Sequence, residues 1–202
     1  MTDFYDLLKK RRAVRSYTGE RVPRETLERI ARAARRGPNA GYSQGLRLLV
    51  VDDPELLETL AKSQDDDPFE GWFRDAAAHV FVMTREQDYH DRYTQPDKLA
   101  ITGGVEVIWP VPFWHVDAGA ALMLLWLAAI EEGLAAAVYG VPLEEDARVR
   151  ELLGIPDDLT IVTGVTIGHP AEDPDDRARM SSAFSQRRRA NDEVVQWNRW
   201  SS

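Results

Sequence analysis

Apolar residues recur along the chain with two different spacings, which predict alternating helices and strands. A spacing of three or four positions, typical of one face of a helix, predicts four helices: 3–11, 24–36, 54–62 and 146–154. Short apolar runs bounded by turn residues predict four strands: 46–53, 76–84, 135–141 and 159–170. The order of these elements has no regular βαβ repeat, so we predict an α+β sandwich rather than a doubly wound parallel sheet.

A fifth predicted helix, residues 118–133, is apolar around nearly its whole circumference. We expect Asp117 to be its N-cap and Gly133 to close it. A helix without a polar face has to be buried on all sides, either at the centre of the domain or at a subunit interface. Its longest apolar run, 118–130, is shorter than the roughly 18 residues of a membrane span, so we predict no membrane partner.

Two segments show no clear period. Residues 63–72, SQDDDPFEGW, are polar and rich in turn-forming residues, and we interpret them as a surface loop. Residues 85–116 mix prolines and glycines with aromatic residues and predict no element. Within them, WPVPFWHV at 109–116 either fills the core or lines an aromatic pocket, and the sequence leaves both interpretations open.

The composition limits the chemistry that the protein can perform by itself. A chain of 202 residues with no cysteine suits one domain and excludes disulfides, thiolate metal sites and cysteine nucleophiles. The four histidines have no metal-ligand spacing, and the sequence contains neither a phosphate loop nor a GxGxxG motif. Any redox reaction would therefore need a bound cofactor. The N-terminus has no long apolar run before a small-residue cleavage site, so we expect a cytoplasmic protein.

Positive charge is concentrated in two short segments of an otherwise acidic chain. The formal net charge of −9 argues against a nucleic-acid partner. Yet KKRRAVRSY, residues 9–17, contains Arg11, Arg12 and Arg15, and a second cluster spans 187–189. Each cluster is either a solvated basic segment or part of a binding site, because arginine pairs bidentately with phosphate. Two arginine clusters on one acidic chain favour a phosphate-bearing cofactor.

The loop GPNAGYSQG, residues 37–45, is the other candidate for ligand binding. It follows a predicted helix and precedes a predicted strand, and its glycines would let the backbone approach a ligand closely. Asn39, Ser43 and Gln44 offer side-chain donors and acceptors. The same composition is also that of an ordinary turn.

Taken in order, five segments resemble the FMN-dependent nitroreductase family: RRAVRSY, GPNAGYSQGLRLLVV, DAGAALMLLWLAAIEEGL, AAAVYGVP and QRRRANDEVVQW. The resemblance covers nearly the whole chain. It implies a nitroreductase-like α/β sandwich, in which helices flank a central and mostly antiparallel sheet. It also implies one domain over residues 1–202 and a homodimer with two flavin sites, each built from both chains at the interface. Residues 173–202 would be an extension of this domain that packs on the partner subunit.

The resemblance further implies which residues bind the cofactor, FMN. The phosphate and ribityl chain would be held by four arginines: Arg11, Arg12, Arg15 and Arg188. Gln44 would contact the flavin, and the backbone around Tyr139 and Gly140 would lie beside the isoalloxazine ring.

At four places the sequence departs from the pattern of that family. Ala13 stands where a hydroxyl residue is usual, and Tyr42 stands where an asparagine is usual. The pair Gly45 and Leu46 replaces proline and tryptophan, and Gln186 stands where a lysine often assists the phosphate. Because these changes remove a hydroxyl and a charge, we expect FMN to bind less tightly than is usual for the family unless a neighbouring arginine compensates.

The implied activity is that of a flavoenzyme. A hydride from NADH or NADPH would reduce FMN, and the electrons would pass to a small aromatic or quinone-like acceptor. The flavin carries this chemistry, so the resemblance implies no catalytic residue of the protein and no metal. Two alternatives stay open: a flavin-binding or storage protein of the same fold without NAD(P)H turnover, and a basic-patch nucleic-acid binder, which the acidity of the chain disfavours.

Overall fold

The computed structural model describes residues 3–62, 71–171 and 188–200. It divides the chain into two units, Met1–Ala171 and Glu172–Ser202. The described helices of the first unit are α1 (Phe4–Lys10), α2 (Arg24–Ala34), α3 (Pro54–Ala61), α4 (Trp72–Asp75), α5 (Gln87–Tyr93), α6 (Pro96–Thr102), α7 (Phe113–Glu131) and α8 (Leu143–Leu153). Its described strands are β1 (Leu46–Val51), β2 (Ala78–Thr84), β3 (Ala135–Tyr139) and β4 (Thr160–Gly168). The second unit contains the short helix α9 (Asn191–Val194).

The four described strands form one antiparallel sheet in the order β1-β2-β4-β3. All residues of β2, an inner strand, are buried, which explains why its sequence is apolar almost without interruption. Leu46 pairs with Thr84 at one end of the β1–β2 ladder, and Val51 pairs with His79 at the other. The antiparallel sheet, covered by helices, confirms the predicted fold.

Alternate residues of β2 face opposite sides of the sheet, as the pleat of a strand requires. Val80 and Val82 lie in a core cluster with residues of α2 and α7: Leu27, Ile30, Ala121 and Leu125. Phe81 and Met83 lie in a second cluster with residues of α3 and α8: Leu57, Leu60 and Val149. Since fully burying a Leu or Phe side chain is worth roughly 1.5–3 kcal/mol, these two clusters hold the helices on the sheet.

The long helix α7 begins earlier than the sequence pattern predicts. It starts at Phe113, directly after Pro112, so Asp117 lies inside the helix and the prediction that Asp117 is the N-cap was wrong. The physical reason is that residues 113–116 form the first turn of the helix, although their mostly aromatic sequence, which follows two prolines, resembles a loop. At 19 residues, α7 is long and apolar enough to cross a membrane by length and composition alone.

One face of α7 packs within the chain. That face contributes Ala118, Leu125 and Ala129 to the core. Val116 and Met123, by contrast, are 51% and 39% exposed. Of the two locations predicted for an apolar helix, a subunit interface is the one that would bury these remaining residues.

Two further assignments differ from the sequence predictions. The segment 63–70 lies outside the described residues, but Trp72 is buried and begins α4, so the predicted surface loop does not extend to residue 72. The stretch 85–116, which predicted no element, contains α5 and α6. These helices show no apolar period because α5 buries only Tyr89 and α6 buries none of its residues.

Candidate functional site

The basic segment that follows α1 is fixed along the outer edge of β3. Ala13 forms an isolated parallel bridge with Ala136, and the Val14 amide donates to the Ala136 carbonyl at 3.1 Å. Four residues further on, Tyr17 is buried and pairs with Pro170, just after β4. The backbone of residues 13–17 is therefore held as an extra edge of the sheet, which leaves the arginine side chains to be placed around it.

A network of buried hydrogen bonds fixes the backbone of residues 13–17 on the sheet. The Trp72 indole donates to the Thr166 hydroxyl at 2.7 Å, and that hydroxyl lies 2.8 Å from the Tyr17 phenol oxygen. The Tyr17 phenol donates to the Val14 carbonyl at 2.8 Å. Burial raises the pKa of Tyr17, so the phenol stays protonated and keeps this bond. The network thus connects the centre of the sheet to the backbone beside Arg15.

The three arginines of the N-terminal cluster take different positions. The guanidinium carbon of Arg15 lies 4.6 Å from the centre of the Trp72 ring, and that of Arg11 lies 5.1 Å from the Trp126 ring. Both distances suit cation–π contacts. Arg12 is exposed and borders a cavity of about 440 Å³, together with Lys9, Lys10 and the backbone at the start of β3. The structure therefore places Arg12 and two lysines at one concave surface.

The donor set at this cavity fits a phosphate group. Lys9 pairs with Asp6 at 2.9 Å, whereas among the described residues no carboxylate forms an ion pair with Lys10, Arg11 or Arg12. Cations without an anionic partner are suited to bind phosphate through charge-assisted hydrogen bonds. The phosphate of FMN is such an anion, and the predicted roles of Arg11, Arg12 and Arg15 in binding it stay predictions that this arrangement favours.

At the end of β3, the side chain of Tyr139 is directed into the core rather than toward solvent. Its phenol donates to Nδ1 of His79 at 2.8 Å, and Nε2 of His79 donates to the Phe73 carbonyl at 2.9 Å. Burial lowers the pKa of His79 to about 4 and raises the pKa of Tyr139, so both side chains are neutral near pH 7. Gly140 is exposed, and a side chain there would meet nothing within 4 Å. The flavin contact predicted for the backbone around Tyr139 and Gly140 stays a prediction.

Trp72 contacts both Arg15, which lies beside β3, and Tyr139, which ends β3. Its ring contacts the Arg15 guanidinium on one side, and its centre lies 6.1 Å from the centre of the Tyr139 ring. The structure therefore brings Arg15 and Tyr139 into one neighbourhood, although they are far apart in sequence.

The loop after α2 forms a separate concave surface. Gly41, Tyr42 and Gln44 have φ angles of 60°, 62° and 57°, all in the left-handed region. The backbone N–H of Gln44 donates to Oδ1 of Asn39 at 2.7 Å, which closes the loop on itself. Tyr42 and Gln44 are exposed and border a cleft of about 690 Å³ between α2, β1 and α7. Ala13, another of the departures from the family pattern, is exposed beside Arg12.

A single chain keeps the two concave surfaces apart. The cleft of Gln44 includes Ala121 of α7, whereas the cavity of Arg12 includes Ile130 of the same helix. Nine residues of α-helix separate these positions, a distance of about 14 Å at 1.5 Å per residue. Arg188 is exposed and belongs to the second unit, so its predicted contact with the phosphate stays a prediction, as does the packing of residues 173–202 on a partner.

Sequence reasoning missed three residues of this site: Trp72, Trp126 and Asp117. Trp72 ends an acidic, turn-rich stretch, and no local pattern distinguishes it from an exposed loop residue. Trp126 belongs to an apolar helix, in which any residue could have been a core residue. Asp117 offered a signal, because one acid among aromatic and apolar residues needs donors if it is buried. It is 6% exposed, and its Oδ2 accepts hydrogen bonds from Tyr89 and from the Ala40 amide.

The sequence and the fold of this chain both match known proteins. The pattern described as "Nitroreductase family" matches residues 8–169. An FMN reductase (NAD(P)H) of Bacillus subtilis is 28% identical over 179 residues, which are 85% of this chain and 68% of that protein. A nitroreductase family protein of Clostridium difficile 630 superimposes with a TM-score of 0.72 at 23% identity, over 98% of this chain and 100% of that one. The NADPH:FMN oxidoreductase of Vibrio harveyi, solved with NAD+, superimposes with a TM-score of 0.71 at 22% identity, over 98% and 78% of the two chains. Because the family pattern covers most of its length and the solved structures share its fold, the chain belongs to the nitroreductase family.

Proposed function

We propose that this protein is an FMN-dependent oxidoreductase that passes electrons from NADH or NADPH to a small aromatic or quinone-like acceptor. We further propose that it acts in the cytoplasm as a homodimer with two flavin sites at the interface. The single observation that carries the proposal is that Lys10 and Arg12 border the cavity at the edge of β3 and form no ion pair with any carboxylate of the described residues. An acidic protein that keeps such cations without carboxylate partners needs an anion to offset them.

The protein contributes binding and electrostatics, whereas bound FMN supplies the hydride-transfer chemistry. Arg12 and Lys10 would hold the cofactor phosphate. Arg15, which lies against the Trp72 ring, would stabilise negative charge on the bound cofactor. His79 and Tyr139 are hydrogen-bonded to each other, so neither is available to donate a proton to an acceptor.

A homodimer would unite the two concave surfaces that one chain keeps apart. Exposed apolar side chains on α1 and α7, including Phe4, Tyr5, Val116 and Met123, are suited to an interface. If two α7 helices pack in opposite directions, the Arg12 cavity of one chain meets the Gln44 cleft of the other. Each flavin site would then take its phosphate-binding cations from one subunit and its loop from the partner.

The class of acceptor is inferred from an aromatic cavity of about 330 Å³. Its lining includes the rings of Tyr93, Trp109, Phe113 and Trp114. Trp109 is 39% exposed, which favours the pocket interpretation of segment 109–116 over core packing. Flat aromatic faces and edges bind flat aromatic molecules, so nitroaromatic and quinone acceptors match this cavity in shape and chemistry.

The test of the proposed function is the visible spectrum of the purified protein. We expect flavin bands near about 370 and 450 nm, present on purification or after reconstitution with FMN, that bleach on anaerobic addition of NADPH or NADH. Bands that persist with both nucleotides would favour the flavin-binding or storage alternative. Absence of bands after reconstitution would refute the proposed function, and sedimentation at several concentrations would test the homodimer.

A substitution in the aromatic cavity tests the acceptor class separately. We expect Trp109→Ala to change the ratio of kcat/KM between a nitroaromatic and a quinone at least several-fold while the flavin content stays at the wild-type value. Ile101→Ala is the matched control, because Ile101 is exposed nearby on α6 and does not line the cavity. Equal ratios in both variants would contradict an acceptor site at this cavity.

A further inference from the structure

The loop of residues 39–45 is held by hydrogen bonds within it and by contacts from neighbouring elements. Gly41, Tyr42 and Gln44 all have positive φ, and only the first of them is glycine. A side-chain-bearing residue in the left-handed region costs of the order of 1 kcal/mol relative to the right-handed one. Two such residues, two positions apart, indicate that contacts from outside the loop help to keep it in place.

Asp117 of α7 supplies the first of these contacts. Its Oδ2 accepts a hydrogen bond from the Ala40 amide and another from the Tyr89 phenol, both at 2.8 Å. Burial and the nearby carboxylate raise the pKa of Tyr89, so the phenol remains a donor. Among the described residues no cation pairs with Asp117, so these two bonds compensate the buried charge. Removing either donor would leave the carboxylate poorly solvated.

The helix α5 supplies further contacts. Arg92 donates from Nε to the Gly41 carbonyl at 2.8 Å, while its other nitrogens pair with Asp97. The Tyr93 ring lies so close to Gly41 that a Cβ there would be 2.9 Å from it, and a Cβ at Gly45 would be 2.4 Å from the Tyr89 ring. Glycine at both positions therefore lets the loop rest directly on α5.

We infer that Asp117 and Tyr89 are positioning residues of the flavin site, which hold loop 39–45 so that Tyr42 and Gln44 face the cleft. This inference rests on the proposed function, since it takes the loop to be one half of the flavin site. Because the loop is held by hydrogen bonds within the protein, it is ordered before the cofactor arrives. Binding then does not have to order it, which strengthens affinity.

The first test is Tyr89→Phe, which keeps the ring against Gly45 and removes only the donor to Asp117. We expect the dissociation constant of FMN, measured by quenching of its fluorescence, to rise about tenfold or more. In the flavin-free protein we expect hydrogen–deuterium exchange of the peptide covering residues 39–45 to become faster. A change in exchange at this peptide reports on the loop itself and not on turnover.

Asp117 offers a conservative pair of variants. Asp117→Asn retains an oxygen that can accept from the Ala40 amide and from Tyr89, whereas Asp117→Leu retains the shape and loses both acceptors. We expect the asparagine variant to bind FMN more tightly than the leucine variant. Leu57→Ala is the control for general destabilisation, because Leu57 is buried in the other core cluster and does not contact the loop.

The outcomes separate this inference from the proposed function. Weaker FMN binding and faster loop exchange in Tyr89→Phe, without a comparable change in Leu57→Ala, would support the positioning role. Wild-type FMN affinity in Tyr89→Phe, or an equal loss in Leu57→Ala, would overturn it even if the enzyme is a flavoprotein. If the wild-type protein binds no FMN, the flavin role falls with the proposed function. The rate of hydrogen–deuterium exchange of residues 39–45 in Tyr89→Phe then still decides whether Asp117 and Tyr89 hold the loop.

Discussion

The buried pair of His79 and Tyr139 makes a specific prediction about stability and pH. His79 is fully buried in β2, with one ring nitrogen on the Tyr139 phenol and the other on the Phe73 carbonyl. Protonation would place a hydrogen on Nδ1, the nitrogen that accepts from Tyr139, so this nitrogen could no longer accept the phenol hydrogen and a charge would be buried. Replacing the residue, as in His79→Gln, removes the titration while an amide donor toward the Phe73 carbonyl is retained.

The magnitude follows from the two pKa values of this histidine. The pKa of a histidine in an unfolded chain is about 6.5. Burial lowers the pKa of His79 in the folded protein to about 4. Between these values the unfolded chain binds more protons, so stability decreases as pH falls. The contribution is fully present above the unfolded pKa and is lost progressively toward the folded one. From about pH 7 to about pH 5, His79 alone accounts for a loss of about 2 kcal/mol in the free energy of unfolding.

The assay is urea unfolding of the flavin-free protein at a fixed concentration, followed by circular dichroism at both pH values. Other groups titrate in the same range, and His90 acts in the opposite direction because Glu106 and Glu86 raise its pKa. These groups are present in both proteins, so the difference between wild type and His79→Gln isolates His79. We expect the wild type to lose about 2 kcal/mol more than the variant over this interval. Equal pH dependence in the two proteins would refute the reasoning.

Two other substitutions follow from close contacts and from charge. Gly164→Ala would place a Cβ 2.0 Å from the Tyr139 ring and should destabilise the protein by about 1–3 kcal/mol in urea unfolding, whereas Gly140→Ala meets open space and should change it little. Arg12→Ala should raise the dissociation constant of FMN about 10- to 150-fold, through loss of a charge-assisted bond to phosphate, while Arg21→Ala, which lines none of the described cavities, should not. Equal FMN affinity in the two arginine variants would place the phosphate elsewhere.

The strands and the packed helices could be predicted from sequence because the local spacing of their apolar residues reflects which side chains are buried. Residues of β2 alternate between two apolar faces, and α2 buries Leu27, Ile30 and Ala34 at helical spacing. The helices α5 and α6 could not be predicted in this way, because almost none of their side chains are buried. They form on the surface, and the positions of neighbouring elements decide where they lie.

Some features of the candidate site could also be predicted from sequence, whereas others depend on the fold. The arginine cluster and the loop of residues 37–45 were found as motifs, because their charge and small residues are visible in sequence. That the two border different cavities depends on their distance along α7, which only the fold determines. The role of Trp72 as a platform for Arg15 depends on a contact between residues 57 positions apart, for which one sequence holds no signal.

The helix α5 lies between loop 39–45 and the aromatic cavity. Its Tyr89 and Tyr93 contact the loop and also line the cavity. Truncating Tyr93 to admit a larger acceptor would at the same time remove the ring that rests on Gly41. If the aromatic cavity takes the acceptor and loop 39–45 contacts FMN, as proposed, α5 belongs to both sites, and directed evolution of substrate range would also change cofactor retention. Variants selected for bulky acceptors should need compensating changes in the loop, and those changes would be found within a few residues of Gly41.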